Sequence, residues 1–474
     1  MIRVFACLVL LSVGVANAQL RLQWHAPPSG SGTIIEDGAF DRAGNLLLVG
    51  SANYSSSVIM AKVAPSGRLL WARLISIGSG GNLSTIVVLP DDSFVTAGSY
   101  RVGGALGTVV LKRSPSGEYI RSLFVPDTNP DTVEVRRGPN DTLALMTSWW
   151  NLRIITLSID HDLNVRWRRD YRPLTALIYL GGGGRTTDSI IARIPRAYVN
   201  SRTFPYLVVY DHNGTLLNSQ ALLPDSIEGA AGSSMLALRN SHEVYAGLFA
   251  LGPDGWRNHL FGFDAYAGQL WHTSFEPTDS LSASSFRVWF DPLDRLMAVW
   301  NDQSGFRVLL HIDKETGQVV RGQPLPLPGI HQREGYGLFL SDARGAVYCI
   351  GVGYDGNFAN LRQMALKLDR NLRPVWHQWL TVSALVSWST YDRGHLYIMS
   401  YGSSAPAPLS KYKILPVFSE GDVNGDECID DADLAKLLEG YGTADPSLDL
   451  NADGIVDGRD LEELLHNFGL GCEG

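Results

Sequence analysis

Cysteine is scarce. The 474 residues include four, and one of these, Cys7, lies in a segment expected to be removed. Three thiols cannot make a disulfide-dense fold, so the core must stabilise itself. Charge is also modest, at 18% of residues, and no heptad rich in Ala, Glu, Lys, Leu and Arg occurs, which excludes a coiled coil. No later run of about 18 apolar residues exists, so no transmembrane segment is expected. The net charge of −9 leaves no basic surplus, and no nucleic-acid partner is expected. Catalytic motifs are missing too. There is no H-E-x-x-H, no G-x-S-x-G and no C-x-x-C, and the Gly181–Gly184 run lacks the Lys-Ser/Thr of a phosphate cradle. What the chain has in quantity is 49 Gly, 12 Trp, 18 Tyr and 16 Phe, which excludes a disordered chain.

Residues 1–18 read MIRVFACLVLLSVGVANA. Arg3 precedes an apolar run, and Ala16-Asn17-Ala18 is a small-x-small cleavage site, so this segment is expected to be a signal peptide and Gln19 the mature start. The expected destination is secretion, outside the cell or on its surface. A second division is drawn by charge. Residues 421–474 hold 15 Asp/Glu against 2 Lys/Arg, a net of −13, whereas the rest of the chain sums to +4. The expected domains are 19–415, a short linker at 416–420, and an acidic module at 421–474.

The larger region repeats. DRAGNLLLVGSA followed by SVIMAKVAPSGRLLWARL sets the pattern: two apolar strands, a turn, and a strand carrying Trp. Eight copies align on Asn45, Ser93, Thr142, Ser189, Glu243, Arg295, Ala346 and His395, spaced by 47 to 54 residues. Several short strands in a unit of this length are the mark of a β-propeller. Gly67, Gly117, Gly214, Gly268 and Gly317 fall where a tight hairpin needs a positive φ. Copies three and seven carry Asp162-Leu163-Asn164 and Arg370-Asn371-Leu372 there, and asparagine is the non-glycine residue expected to take that angle. The eighth copy lacks its Trp-bearing strand. LRLQWHAPP at 20–28 supplies one, with Trp24 matching Trp71, and its pairing near Tyr412 would close the ring and remove a free edge. The expected fold is mainly β: an eight-bladed propeller, seven-bladed if one copy is misread, with a small α-helical module behind it. Trp71, Trp167, Trp271 and Trp376 are expected to pack between blades, and Cys349 to be a buried, inert thiol.

The hairpins Asp211-His-Asn-Gly214, Asp264-Ala-Tyr-Ala-Gly268-Gln-Leu-Trp271 and Asp313-Lys-Glu-Thr-Gly317 resemble those of quinoprotein-like secreted bacterial propellers. The resemblance implies the fold. It does not imply the quinone cofactor, because the adjacent cysteines of quinone-dependent members are missing here.

The acidic module carries two loops with the oxygen spacing of a calcium site. DLNADGIVDGRD places Asp449, Asn451 and Asp453 at positions one, three and five, Gly454 at six, the Ile455 carbonyl at seven, Asp457 at nine and Asp460 at twelve. DVNGDECIDDAD repeats this with Asp422, Asn424, Asp426, the Cys428 carbonyl, Asp430 and Asp433. Glu427 takes the place of the glycine, at a backbone cost of roughly 1 kcal/mol. Two Ca²⁺ are expected, the Asp449–Asp460 site holding the tighter one. Helices are expected at 434–442 and 461–469. These duplicated loop-helix units, with G-D-V-N-G-D at 421–426 and D-L-x-x-L-L at 433–438 and 460–465, resemble type I dockerin modules. The resemblance implies a cohesin-like or cell-surface protein as partner, chosen by loop positions ten and eleven, here Asp431-Ala432 and Gly458-Arg459. Cys428 and Cys472 are expected to pair, one in the first loop and the other near the module's end.

Three functions are compatible with these features. The first is a secreted, non-catalytic propeller used for binding or display and attached through the calcium module. The alternative is a polysaccharide-degrading glycoside hydrolase, suggested by the enzymes that usually carry dockerins; its paired carboxylates need only lie about 5–9.5 Å apart in space and leave no sequence pattern. A quinone-dependent oxidoreductase is the second alternative. Fold alone does not choose among them. No catalytic residue is assigned, and the propeller face is left as a candidate glycan-binding surface.

Overall fold

In each repeat the most apolar segments form the middle strands. Ser57–Val63 is buried at every position, while the fourth strand of the third repeat, Val165–Tyr171, is largely exposed. Burial is thus greatest in middle strands; the innermost strands Ile34–Phe40 and Arg287–Phe290 are only partly buried. The computed structural model describes residues 20–472 apart from 27–33, 53–56, 77–80, 103–104, 127–132, 150–152, 172–176, 180–183, 200–201, 223–234, 253–254, 276–286, 302–306, 326–335, 355–360, 381–384, 402–408, 417–419 and 452. The expected signal peptide, most of the expected linker and Gly181–Gly183 lie outside the described residues.

Eight antiparallel sheets form the blades of a β-propeller. Their second strands begin at Leu46, Phe94, Thr142, Ile190, Glu243, Leu296, Val347 and His395, each at or one residue after the position expected from the repeat. Seven sheets have four strands in chain order or, in the eighth, with one substitution. That eighth sheet runs Leu385–Asp392, His395–Tyr401, Leu409–Ile414 and then Leu20–Ala26. The count is therefore eight, and Leu20–Ala26 supplies the outermost strand of the last blade. Blade four is broken. Pro195 has no N–H to give to a ladder, and its second strand splits there into Ile190–Arg193 and Arg196–Val199, both paired with the long strand Arg202–Asp211.

Two compact units can be distinguished. One contains residues 24–391 and 397–411 and carries the blades. The other contains residues 412–472 with 20–23 and 392–396.

Within the first unit a tryptophan on one blade's outer strand covers the hairpin of the next. Trp24 Nε1 donates to the Pro65 carbonyl at 3.0 Å, Trp167 Nε1 to His212 at 2.7 Å and Trp271 Nε1 to Lys314 at 2.8 Å. Under each indole lies a positive-φ glycine, Gly67, Gly214 or Gly317. A Cβ at Gly67 would sit 2.5 Å from the Trp24 ring, so glycine serves the turn and clears space for the ring. Trp71 also lies over Gly117, but its Nε1 has no hydrogen-bond partner among the described residues. Trp376 instead packs near Tyr348 of its own blade.

The hairpins of blades three and seven correct one expectation. The positive φ falls on Leu163 and Leu372, both at 61°, and not on Asn164 or Asn371. The outer strands of blades two and six, Tyr119–Val125 and Val319–Pro324, carry no tryptophan to cover them. Leu163 and Leu372 are buried in the seams with those blades. Arg121 and Arg321 stand at the register position of the indole and donate to Asn164 Oδ1 and to the Asn371 carbonyl, and burial of each leucine offsets its strained angle.

Two stability measurements test this arrangement. Trp24→Ala should lower unfolding stability by about 2–4 kcal/mol, the range for losing a large aromatic that is only partly buried, read as a lower urea midpoint. Leu163→Gly relieves roughly 1 kcal/mol of backbone strain but should still destabilise the protein, because the buried leucine leaves a cavity. A variant as stable as the parent would show that the side chain is not a plug.

Candidate metal centre

The second unit is built from two copies of one loop-helix element offset by 27 residues. Helix α1 spans Asp431–Glu439 and helix α2 Gly458–His466. Both start three residues before the expected boundaries, and capping explains the shift. Asp430 accepts from Ala432 N at 2.8 Å and Asp457 from Arg459 N at 2.8 Å. Asp433 and Asp460, three residues on, accept from the N–H of Asp430 and Asp457 at 3.0 and 2.8 Å. These are reciprocal capping boxes, which place loop position twelve inside the first turn. The Asp-x-x-Asp spacing before an apolar run carries that signal in the sequence.

The loops fold by similar schemes through their own carboxylates. Asp422 accepts from Gly425 N at 2.8 Å and Glu427 N at 3.3 Å; Asp449 accepts from Asp453 N at 3.1 Å and Gly454 N at 2.8 Å. Asp433 reaches back to Asn424 N at 3.1 Å, and Asp460 to Leu450 N at 2.7 Å and Asn451 N at 3.2 Å. Position five holds position seven: Cys428 N donates to Asp426 at 2.9 Å and Ile455 N to Asp453 at 3.3 Å. Asn424 Oδ1 accepts from Asp426 N at 2.8 Å. Asn451 is exposed.

The first loop gathers its carboxylates. Asp422, Asp426 and Asp433 each place an oxygen within 4.8 Å of the others. Asp422 and Asp433 are buried, and among the described residues no Lys or Arg forms an ion pair with any of the three. Burial, with Asp433 and Asp426 close by, holds the Asp422 carboxyl above the usual carboxylate range. Crowded, partly buried carboxylates without a cationic side chain fit a hard cation that prefers oxygen ligands. The second loop is looser. Asp449, Asp453 and Asp460 form no such trio, and Arg459 Nη1 lies 3.2 Å from Asp453 Oδ2.

Glu427 sits at φ 72° and Gly454 at φ 96°, so loop position six needs the left-handed region in both copies and only the second has the residue suited to it. Glu427 also pairs with Arg21 of the same unit. Cys428 and Cys472 form a disulfide with a Cα separation of 4.5 Å, closing a loop whose constraint contributes about 3–4 kcal/mol in the chain-entropy model. Cys349, by contrast, is a fully buried free thiol whose burial pushes it well above its ordinary range.

Asp431, Ala432, Gly458 and Arg459 all lie in the exposed first turns of the helices. A second set of exposed residues is not evident from the loop pattern. Leu438 and Tyr441 on or just after α1 are 49% and 50% exposed, and their 27-residue counterparts Leu465 and Phe468 are 50% and 37% exposed. The module's core is instead built from Val423, Ile429, Leu437, Leu448, Leu450, Val456, Leu464 and Leu470. Among the described residues no helix is long and apolar enough to cross a membrane.

No protein-family model matches the sequence, and no curated protein matches it. Solved structures similar to the chain include a protein of unknown function from Bacteroides caccae, at 11% identity and a TM-score of 0.33, covering 72% of this chain and 95% of that one. The WD40 domain of SCAP from fission yeast is similar at 9% identity and a TM-score of 0.38, covering 80% of this chain and 82% of its own. The β-propeller domain of the Trilobed protease from Pyrococcus furiosus is similar at 10% identity and a TM-score of 0.40, with coverage of 75% and 97%.

Proposed function

We propose that this chain is an exported, non-catalytic binding or display propeller, attached to a partner protein through a calcium-organised, dockerin-like module at 421–474. The observation that carries the reading is the duplicated loop-helix element, in which the same carboxylates hold the same backbone N–H groups at a 27-residue offset. An acidic solvated tail has no reason to repeat that geometry. The partner is a cohesin-like or cell-surface protein. Its contact surface comprises the exposed first turns, with Asp431, Ala432, Gly458 and Arg459, and the apolar pairs Leu438/Tyr441 and Leu465/Phe468.

Two Ca²⁺ are bound in this reading. Asp422, Asn424, Asp426, Asp430 and Asp433 with the Cys428 carbonyl hold one. Asp449, Asn451, Asp453, Asp457 and Asp460 with the Ile455 carbonyl hold the other. The second is the tighter, because its glycine carries the left-handed angle without strain and its Arg459–Asp453 pair is exposed and weak to displace.

Calorimetry with CaCl₂ on the mature chain should resolve two steps. Asp449→Ala with Asp453→Ala should remove the tighter step and leave the weaker one; an unchanged isotherm would refute the ligand assignment. Glu427→Gly should tighten the weaker step about fivefold, from relief of roughly 1 kcal/mol of backbone strain. The platform reading is tested separately by incubating the mature chain with plant and bacterial polysaccharides. No release of reducing sugar is expected, and turnover of any of them would overturn the non-catalytic assignment.

A further inference from the structure

Six charged side chains converge from inner positions of the blades. Asp37, Glu134, Arg136, Arg185 and Arg287 stand on innermost strands of blades one, three, four and six, and Arg307 opens the third strand of blade six. Arg185 Nη1 and Arg136 Nη2 lie 3.6 and 3.8 Å from the same Glu134 oxygen, so one carboxylate serves two guanidinium groups. The Asp37 carboxylate accepts from Gly38 N at 2.9 Å and Ile86 N at 3.0 Å. Among the described residues no carboxylate lies within ion-pair distance of Arg287 or Arg307.

Strand register places those two on one face. Arg287 stands opposite Val299 and Arg307 opposite Asn301, two residues further along the strand between them. Arg185 contributes to the field at Arg287, and Arg287 to the field at Arg307. The Arg307 Nη1 atom is buried with no hydrogen-bond partner among the described residues. Burial, and then Arg287, push this guanidinium down to about 10, still charged at neutral pH; the nearby Cys349 thiol is neutral and supplies no counter-charge. The Arg185 side chain is 40% exposed, so water and small solutes reach it.

A buried guanidinium with no counter-charge among the described residues is costly, and the planar fork of arginine matches carboxylate and phosphate oxygens in pairs. We infer that Arg185, Arg287 and Arg307 form an anion site on the axial side of the blades, taking a small carboxylate- or phosphate-bearing molecule. This deepens the reading of the propeller as a binding platform, on which it rests, by naming the ligand class.

The test uses the full mature chain in low-salt buffer with citrate, oligogalacturonate, inorganic phosphate and a neutral cello-oligosaccharide, read by thermal unfolding and calorimetry. An anion should raise the midpoint. A response to citrate and oligogalacturonate alone assigns a carboxylate ligand, and a response to phosphate alone assigns a phosphate. Arg287→Gln should weaken binding about tenfold, as loss of a charge-assisted hydrogen bond requires. Arg307→Met should raise the midpoint in anion-free buffer and abolish the anion-dependent rise. No response to any anion would overturn the site, as would an Arg307→Met variant that is destabilised equally with and without anion. Binding of the neutral oligosaccharide alone would overturn the site while supporting the platform reading, so the two failures are distinguishable.

Discussion

An indole laid across the neighbouring hairpin is the contact on which the ring depends. It fixes a glycine beneath it, satisfies a hairpin carbonyl and seals the outer seam between two blades. Trp24 makes the same contact at Pro65 and Gly67, so the seam between the last blade and the first is built like those between blades three and four and between blades five and six. Tyr397 meets Trp24 and Phe40 edge-on at 6.2 and 5.2 Å, joining the cores of those two blades. Aromatic edge contacts add to burial and fix orientation.

Much of the propeller was legible because its period is set by strand alternation and its turns by backbone angle. The second strands and the closing strand could be read from apolar runs and from one Trp. The hairpins of blades three and seven could not. Propensity favours Asn at a positive φ, but Leu163 and Leu372 take it where their side chains are buried against the preceding blade, a relation between residues distant in sequence. The helix starts were misplaced for a different reason. Ligand spacing and capping use the same aspartates, and Asp433 and Asp460 belong to both patterns. The axial arginines were not legible at all, since they come from separate repeats and share no spacing.

The acidic module separates two properties often treated as one. Its loops share a hydrogen-bond scheme, so the backbone path is set by the carboxylates themselves. They differ in strain and in how closely their oxygens gather. The first loop collects its carboxylates over a strained Glu427 and is anchored by the disulfide and by Arg21. The second has the relaxed turn and the more open set. Duplication thus yields one backbone scheme with two different electrostatic settings.

The sheet shared by Leu20–Ala26 and Leu409–Ile414 also governs the order of assembly. Its outermost strand precedes the other seven blades in sequence and its partner follows them all, so the two are about 390 residues apart. Such non-local pairing is slow to form, because the intervening chain must be ordered before the contact rewards it. Seven blades can condense vectorially while one edge stays unpaired, and only arrival of the eighth caps it. Closure of the ring therefore waits for Leu20–Ala26 to meet Leu409–Ile414, and any interruption before that moment leaves a sticky margin open to other chains.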